Sequence, residues 1–74
     1  MKKLSSKLPH SKYTVLNVDE SELRSRLYEM GIFPNQLISL IRKAPFGDPL
    51  LVEIDDQLVM LRSEEASLIT VQEI

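Results

Sequence analysis

The sequence predicts a mainly β fold: a small barrel of five short strands with one α-helix and one short helical turn. Three observations lead there. Five short runs rich in apolar and β-branched residues are each bounded by turn-forming residues. Only one segment carries helical periodicity. Helices and strands do not alternate along the chain, which argues against a parallel α/β sheet. At 74 residues and 8.5 kDa, the chain from 1 to 74 reads as a single domain, with one modest core and no room for two lobes flanking a deep cleft.

The elements follow in order. "MKKLSSKLPHSK", residues 1–12, carries Lys2, Lys3, Lys7 and Lys12 as its only ionised side chains and reads as a flexible basic arm. Of the chain's nine basic residues these are four, so the body keeps five against all eleven acidic residues. A basic arm on an acidic body suits an anionic surface or, more simply, keeps a frayed end soluble. "YTVLNV", Tyr13 to Val18, is the first strand. In "DESELRSRLYEMG", Leu23, Leu27 and Met30 fall on one helical stripe, and Glu22 and Arg26 are spaced to pair on the wet face. Asp19 with Glu22 suggests a capping-box start, and Gly31 supplies a left-handed stop.

Pro34 and Asn35 then make a turn, Asn35 being tolerant of positive φ. "QLISLIRKA" is a strand with both faces partly apolar, as a curled sheet allows. "LLVEI" and "LVMLR" pair as a hairpin across Asp55, Asp56 and Gln57. "SEEAS" is a capped helical turn, in which Ser63 accepts from the amides after it and Glu64 and Glu65 suit a positive helix N-terminus. "LITVQEI" closes the set. Closure into an SH3-like barrel removes the exposed edges that a flat sheet of this size leaves.

Between the second and third strands sits "KAPFGDP", Lys43 to Pro49. Pro45 fixes one φ, Gly47 opens a conformation that other residues resist, and Pro49 drives Asp48 out of the helical region. Asp48 is expected to fold its carboxylate back on nearby amides. The loop is stiff, so Phe46 is held at a defined place. Two readings follow: Phe46 closes one end of the core, or it projects as a preorganised anchor for a partner.

Chemistry is sparse. Without cysteine, disulfides, thiolate metal sites and cysteine nucleophiles are excluded. With Gly31 and Gly47 as the only glycines, there is no phosphate-cradling loop. His10 stands alone, and a stable transition-metal site needs three or four donors. The pairs Asp55–Asp56 and Glu64–Glu65 lack the spaced pattern of a calcium loop and read as turn and helix-start chemistry, leaving at most weak metal bridging between subunits. No apolar run approaches the roughly 20 residues of a spanning helix, and the composition, with a net charge of −2, offers no basic platform for nucleic acid. The residues thus predict a cytoplasmic binding module with no catalytic constellation.

"LYEMGIFPN", "LISLIRKAPFGDPLLVEI" and "LVMLRSEEASLITV" together resemble the FeoA family over about Leu23 to Val71. The most specific piece is Ala44 through Pro49. The resemblance implies an SH3-like domain related to the C-terminal domain of iron-dependent repressors. It further implies a non-enzymatic accessory of bacterial ferrous iron uptake that contacts the FeoB membrane GTPase transporter, touching the membrane only through that partner. One departure is visible: the family's usual Pro-Gly after the helix is Pro34-Asn35 here, and Asn accepts the same left-handed turn. On this reading the contact surface comprises Pro45, Phe46, Gly47, Asp48 and Pro49, joined by Met30 and Ile32 if the helix end lies beside the loop. The competing expectation is a metal-responsive module that binds a divalent transition metal such as iron weakly, through ligands the resemblance does not assign. Weak homo-oligomers suit either reading.

Overall fold

The structure is a computed structural model describing residues 2–74. Its strands are β1 (Lys2–Lys3), β2 (Ser11–Val18), β3 (Leu37–Lys43), β4 (Leu50–Ile54), β5 (Gln57–Leu61) and β6 (Ile69–Glu73). Helix α1 (Arg24–Glu29) joins β2 to β3, and α2 (Ser63–Ala66) joins β5 to β6. The strands form one antiparallel sheet in the order β1-β6-β2-β3-β4-β5. Register shifts between Val15 and Asn17 and between Leu40 and Arg42 mark irregularities in β2 and β3. Such bulges bend a strand and increase its twist, and here the sheet curls around its own core.

Among the strands, the core is drawn from β2 to β6: Tyr13, Val15 and Val18 from β2, Ile38 and Leu40 from β3, Leu50, Val52 and Ile54 from β4, Leu61 from β5, and Ile69 and Val71 from β6. The period-two alternation is clean in β4, whose Leu51 and Glu53 face outward. The fold is therefore mainly β as expected, with a sixth strand, β1, that the five-strand reading lacks.

The expected flexible arm is corrected. Lys2 and Lys3 pair with Val71 and Thr70, a 3-10 turn follows at Leu4–Ser6, and Leu4 is fully buried. Burying a leucine stabilises by about 1.5–3 kcal/mol relative to leaving it in water, which offsets part of the cost of ordering this segment. Charge helps. The Lys3 ammonium pairs with the Asp19 carboxylate, and Lys43 Nζ donates to the carbonyls of Ser5 and Lys7 at 2.6 and 3.0 Å.

The start of α1 is corrected for a related reason. Asp19 does not cap the helix, because its carboxylate receives Lys3 and the Asn17 amide. Ser21 Oγ accepts the Leu23 N–H at 3.1 Å, and the regular helix begins only at Arg24. Its end follows the sequence. Gly31 sits at φ +92°, the Ile32 N–H reaches the Leu27 carbonyl at 2.9 Å, and the Gly31 N–H reaches Tyr28 at 3.0 Å. This is a Schellman stop, in which the residue after the glycine packs back on the helix; Leu27 and Ile32 are both fully buried.

Candidate docking surface

The loop between β3 and β4 begins as a tight turn. The Gly47 N–H donates to the Ala44 carbonyl at 2.7 Å, and the Ala44 N–H donates to the Pro49 carbonyl at 3.1 Å across the loop's base. Pro45 thus takes the second position of a four-residue turn, where its fixed φ is already correct, and Gly47 takes the fourth with φ +83°. Phe46 occupies the tip and is 99% exposed. The reading in which Phe46 closes the core is overturned, because the ring stands in solvent.

Asp48 makes a longer-range contact than expected. Its Oδ1 accepts the Ser63 N–H at 3.0 Å, an amide fifteen residues on. The next capping bond is internal to α2, where Glu65 Oε1 accepts the Arg62 N–H at 2.9 Å. Ser63 is therefore not the cap; its own amide is the one being capped. Two free amides at the start of α2 are satisfied by two carboxylates, one of which ties the loop to the helix.

The loop borders two shallow grooves. One, of about 580 Å³, is lined by Arg42, Lys43, Ala44, Pro45, Pro49, Leu51 and Met60. The other, of about 410 Å³, lies across Pro49 and Met60 and reaches Asp48, Arg26, Arg62 and Glu65. Met60, 57% exposed, is the residue that the sequence reading missed here. Strand register sets it beside Leu51. Alternation in "LVMLR" separates Leu58 and Met60 from Val59 and Leu61, but which pair faces out is decided by the neighbouring strand.

Glu65 is buried, 3% exposed. While Oε1 caps the helix, Oε2 has no hydrogen-bond donor and lies 3.8 Å from Arg26 Nε. Arg26 therefore faces Glu65, not the expected Glu22.

Met30 and Ile32 do not join this surface. Ile32 is fully buried and Met30 packs partly against the core. The end of α1 lies against the β4–β5 turn: a Cβ on Gly31 would stand 3.5 Å from Ile54 Cγ2, and Gln36 Nε2 bridges the Gly31 carbonyl and Asp55 at 3.3 Å each. Leu50 adjoins the loop and Ile54 the helix end, so the two sites are separated by the length of β4, roughly 13 Å. What is exposed at the helix end is an edge-to-face pair, Tyr28 and Phe33, with ring centroids 6.5 Å apart.

The remaining candidates serve structure. Asp55 and Asp56, at φ +50° and +66°, form the two-residue turn between β4 and β5. His10 is exposed at φ +70°, and its N–H donates to the Leu40 carbonyl at 2.7 Å. Among the described residues, no three His, Cys, Asp or Glu side chains cluster as metal ligands, so the residues present do not fit a resident transition metal within one chain. No helix among them is long and apolar enough to cross a membrane.

Comparison with known proteins places this geometry. A model of the FeoA domain matches residues 2–73. The iron(II) transport protein A of Clostridium thermocellum is 34% identical and superposes with a TM-score of 0.91 over 97% of this chain, which spans 45% of that one. The Stenotrophomonas maltophilia FeoA complexed with zinc, described as an SH3 domain protein, is 27% identical, with a TM-score of 0.85 over 97% of this chain and 91% of that one. A manganese-dependent transcriptional repressor contains the same fold, at a TM-score of 0.90 and 20% identity over 99% of this chain and 41% of its own.

Proposed function

The chain belongs to the FeoA family, and from that premise we propose that it is a non-catalytic accessory of bacterial ferrous iron uptake, working by direct contact with the cytosolic region of a FeoB-type membrane GTPase transporter. The contact runs through the loop from Pro45 to Pro49 and the adjoining Met60. One observation carries this reading. Phe46 stands almost wholly in solvent on a turn hydrogen-bonded at its base and tied through Asp48 to α2. An exposed aromatic on a braced loop loses little conformational entropy when it is buried by a partner, the property of interface anchors. Burial in the chain's own core does not account for it.

The test is co-purification with the transporter's intracellular region, with and without guanine nucleotide. Retention that depends on the loop is expected; no retention in either nucleotide state would overturn the reading.

The zinc complex of the Stenotrophomonas relative favours a second reading, in which the module answers to a divalent metal. Since no three-ligand cluster lies within the described residues, this reading places the metal between molecules. Titration with zinc or ferrous iron that leaves the amide resonances and molecular mass unchanged would reject it.

A further inference from the structure

We propose that the chain self-associates through the open edge of β5, two copies pairing antiparallel about a two-fold axis at Val59. The two edges of the sheet differ. At one, β1 is two residues long and both are lysines; at the other, β5 is five residues, "QLVML", with no charge, no proline and no register shift against β4. Those are the devices by which natural sheets block edge-to-edge pairing, and β5 lacks them.

Register identifies the free groups. Asp55 and Asp56 form a two-residue turn with positive φ at both positions, so Ile54 and Gln57 exchange hydrogen bonds, as do Val52 with Val59 and Leu50 with Leu61. Leu58 and Met60 therefore direct their N–H and carbonyl groups away from β4, toward the open edge. The same two residues expose their side chains, at 64% and 57%.

Charge selects a second copy of this chain as the occupant. With Val59 opposite Val59 of the second copy, Leu58 meets Met60 in two hydrogen-bonded pairs, and Arg62 meets Asp56 at both ends. Both charged residues are exposed, and neither is in an ion pair within the monomer, among the described residues. Moving the two-fold axis by one residue to either side, a register slide of two that keeps the alternation of free groups, breaks this match, facing Asp56 with Glu64 in one case and with Met60 in the other. An isologous arrangement of this kind satisfies both charges twice.

The experiment uses the purified full chain without any transporter: sedimentation equilibrium and amide NMR up to about 1 mM, the range of weak association. Concentration-dependent shifts and slowed exchange are expected at Leu58 and Met60. Arg62→Asp and Asp56→Arg, each checked by its melting curve, should each weaken association about tenfold, because two pairs are lost at once. An equimolar mixture of the two variants should regain it, since the mixed dimer restores an opposite-charge pair at each end. A chain that stays monomeric with static Leu58 and Met60 amides overturns the proposal, as do variants that associate like the parent or a mixture that does not recover. A monomer whose β5 amides respond only to an added extended peptide would assign the edge to a partner strand and reject the dimer.

Discussion

The end of α1 and the proline-braced loop both present a glycine at positive φ beside a bulky apolar residue, and the two apolar residues have opposite fates. Ile32 follows Gly31 and is fully buried; Phe46 precedes Gly47 and is 99% exposed. The difference lies in what each glycine terminates. Gly31 ends a helix, and the Schellman hydrogen bonds fold the following residue back on Leu27. Gly47 ends a turn whose tip has no element above it, so nothing in the chain covers Phe46. Chemical similarity between the two sites is no guide to which one is free to bind.

The comparison is sharpened most by Ile32→Ala. Removing a fully buried isoleucine side chain is expected to cost about 2–5 kcal/mol, read as a fall in the urea midpoint with an unchanged slope. A loss below about 0.5 kcal/mol would mean that the helix end is not part of the core. Next is Gly31→Ala. A Cβ there meets Ile54 Cγ2 at 3.5 Å, ordinary contact, so the cost is conformational and amounts to about 1–2 kcal/mol in the left-handed region. Gly31→Asn should recover part of it, a pattern that a steric explanation does not give.

Smaller again is Asp48→Ala. The carboxylate caps the Ser63 amide from an exposed position, and losing such a cap costs about 1 kcal/mol. Asp48→Asn retains an acceptor and should keep most of the stability. Amide exchange at Ser63 separates the two variants: it should quicken in Asp48→Ala and stay near the parent rate in Asp48→Asn.

These sites also mark how far the sequence could be read. Strand β4 was legible to the residue because the runs on either side of it end in Pro49 and in the Asp55–Asp56 turn, both local signals. Gly31, Asn35 and Gly47 were legible as left-handed positions for the same reason. The buried fate of Ile32 has a local signal, since a Schellman glycine implies an apolar contact after it, whereas the stripe Leu23, Leu27 and Met30 points only to the helix. What was not legible depends on distant segments meeting. Lys3 takes the carboxylate expected to cap α1, Lys43 holds the N-terminal segment, and Asp48 caps a helix fifteen residues away. No local pattern carries that information, and the assignment of residues 1–12 to a flexible arm failed on it. Met60 belongs to the same class, because its exposure follows from the register that sets it beside Leu51 on the outer face of the sheet.

Phe46→Ala should have the smallest effect on the fold and the clearest effect on contact. With the ring in solvent, truncation is expected to change stability by less than about 0.5 kcal/mol, since no packing is lost and the turn is held by the Ala44 carbonyl and Pro45. If the proposed function is right, the same change weakens retention of the transporter's cytosolic region by tenfold or more, the size of a loss at an aromatic anchor, about 1.4 kcal/mol. Ile32→Ala, compared under conditions where it remains folded, should leave retention intact. Reversal of the two, with binding lost at Ile32 and kept at Phe46, would move the contact surface to the Tyr28–Phe33 end of the molecule, where the edge-to-face pair is the nearest exposed aromatic group. The stability measurement makes this decisive: only a residue that the fold does not need can report binding without also reporting folding.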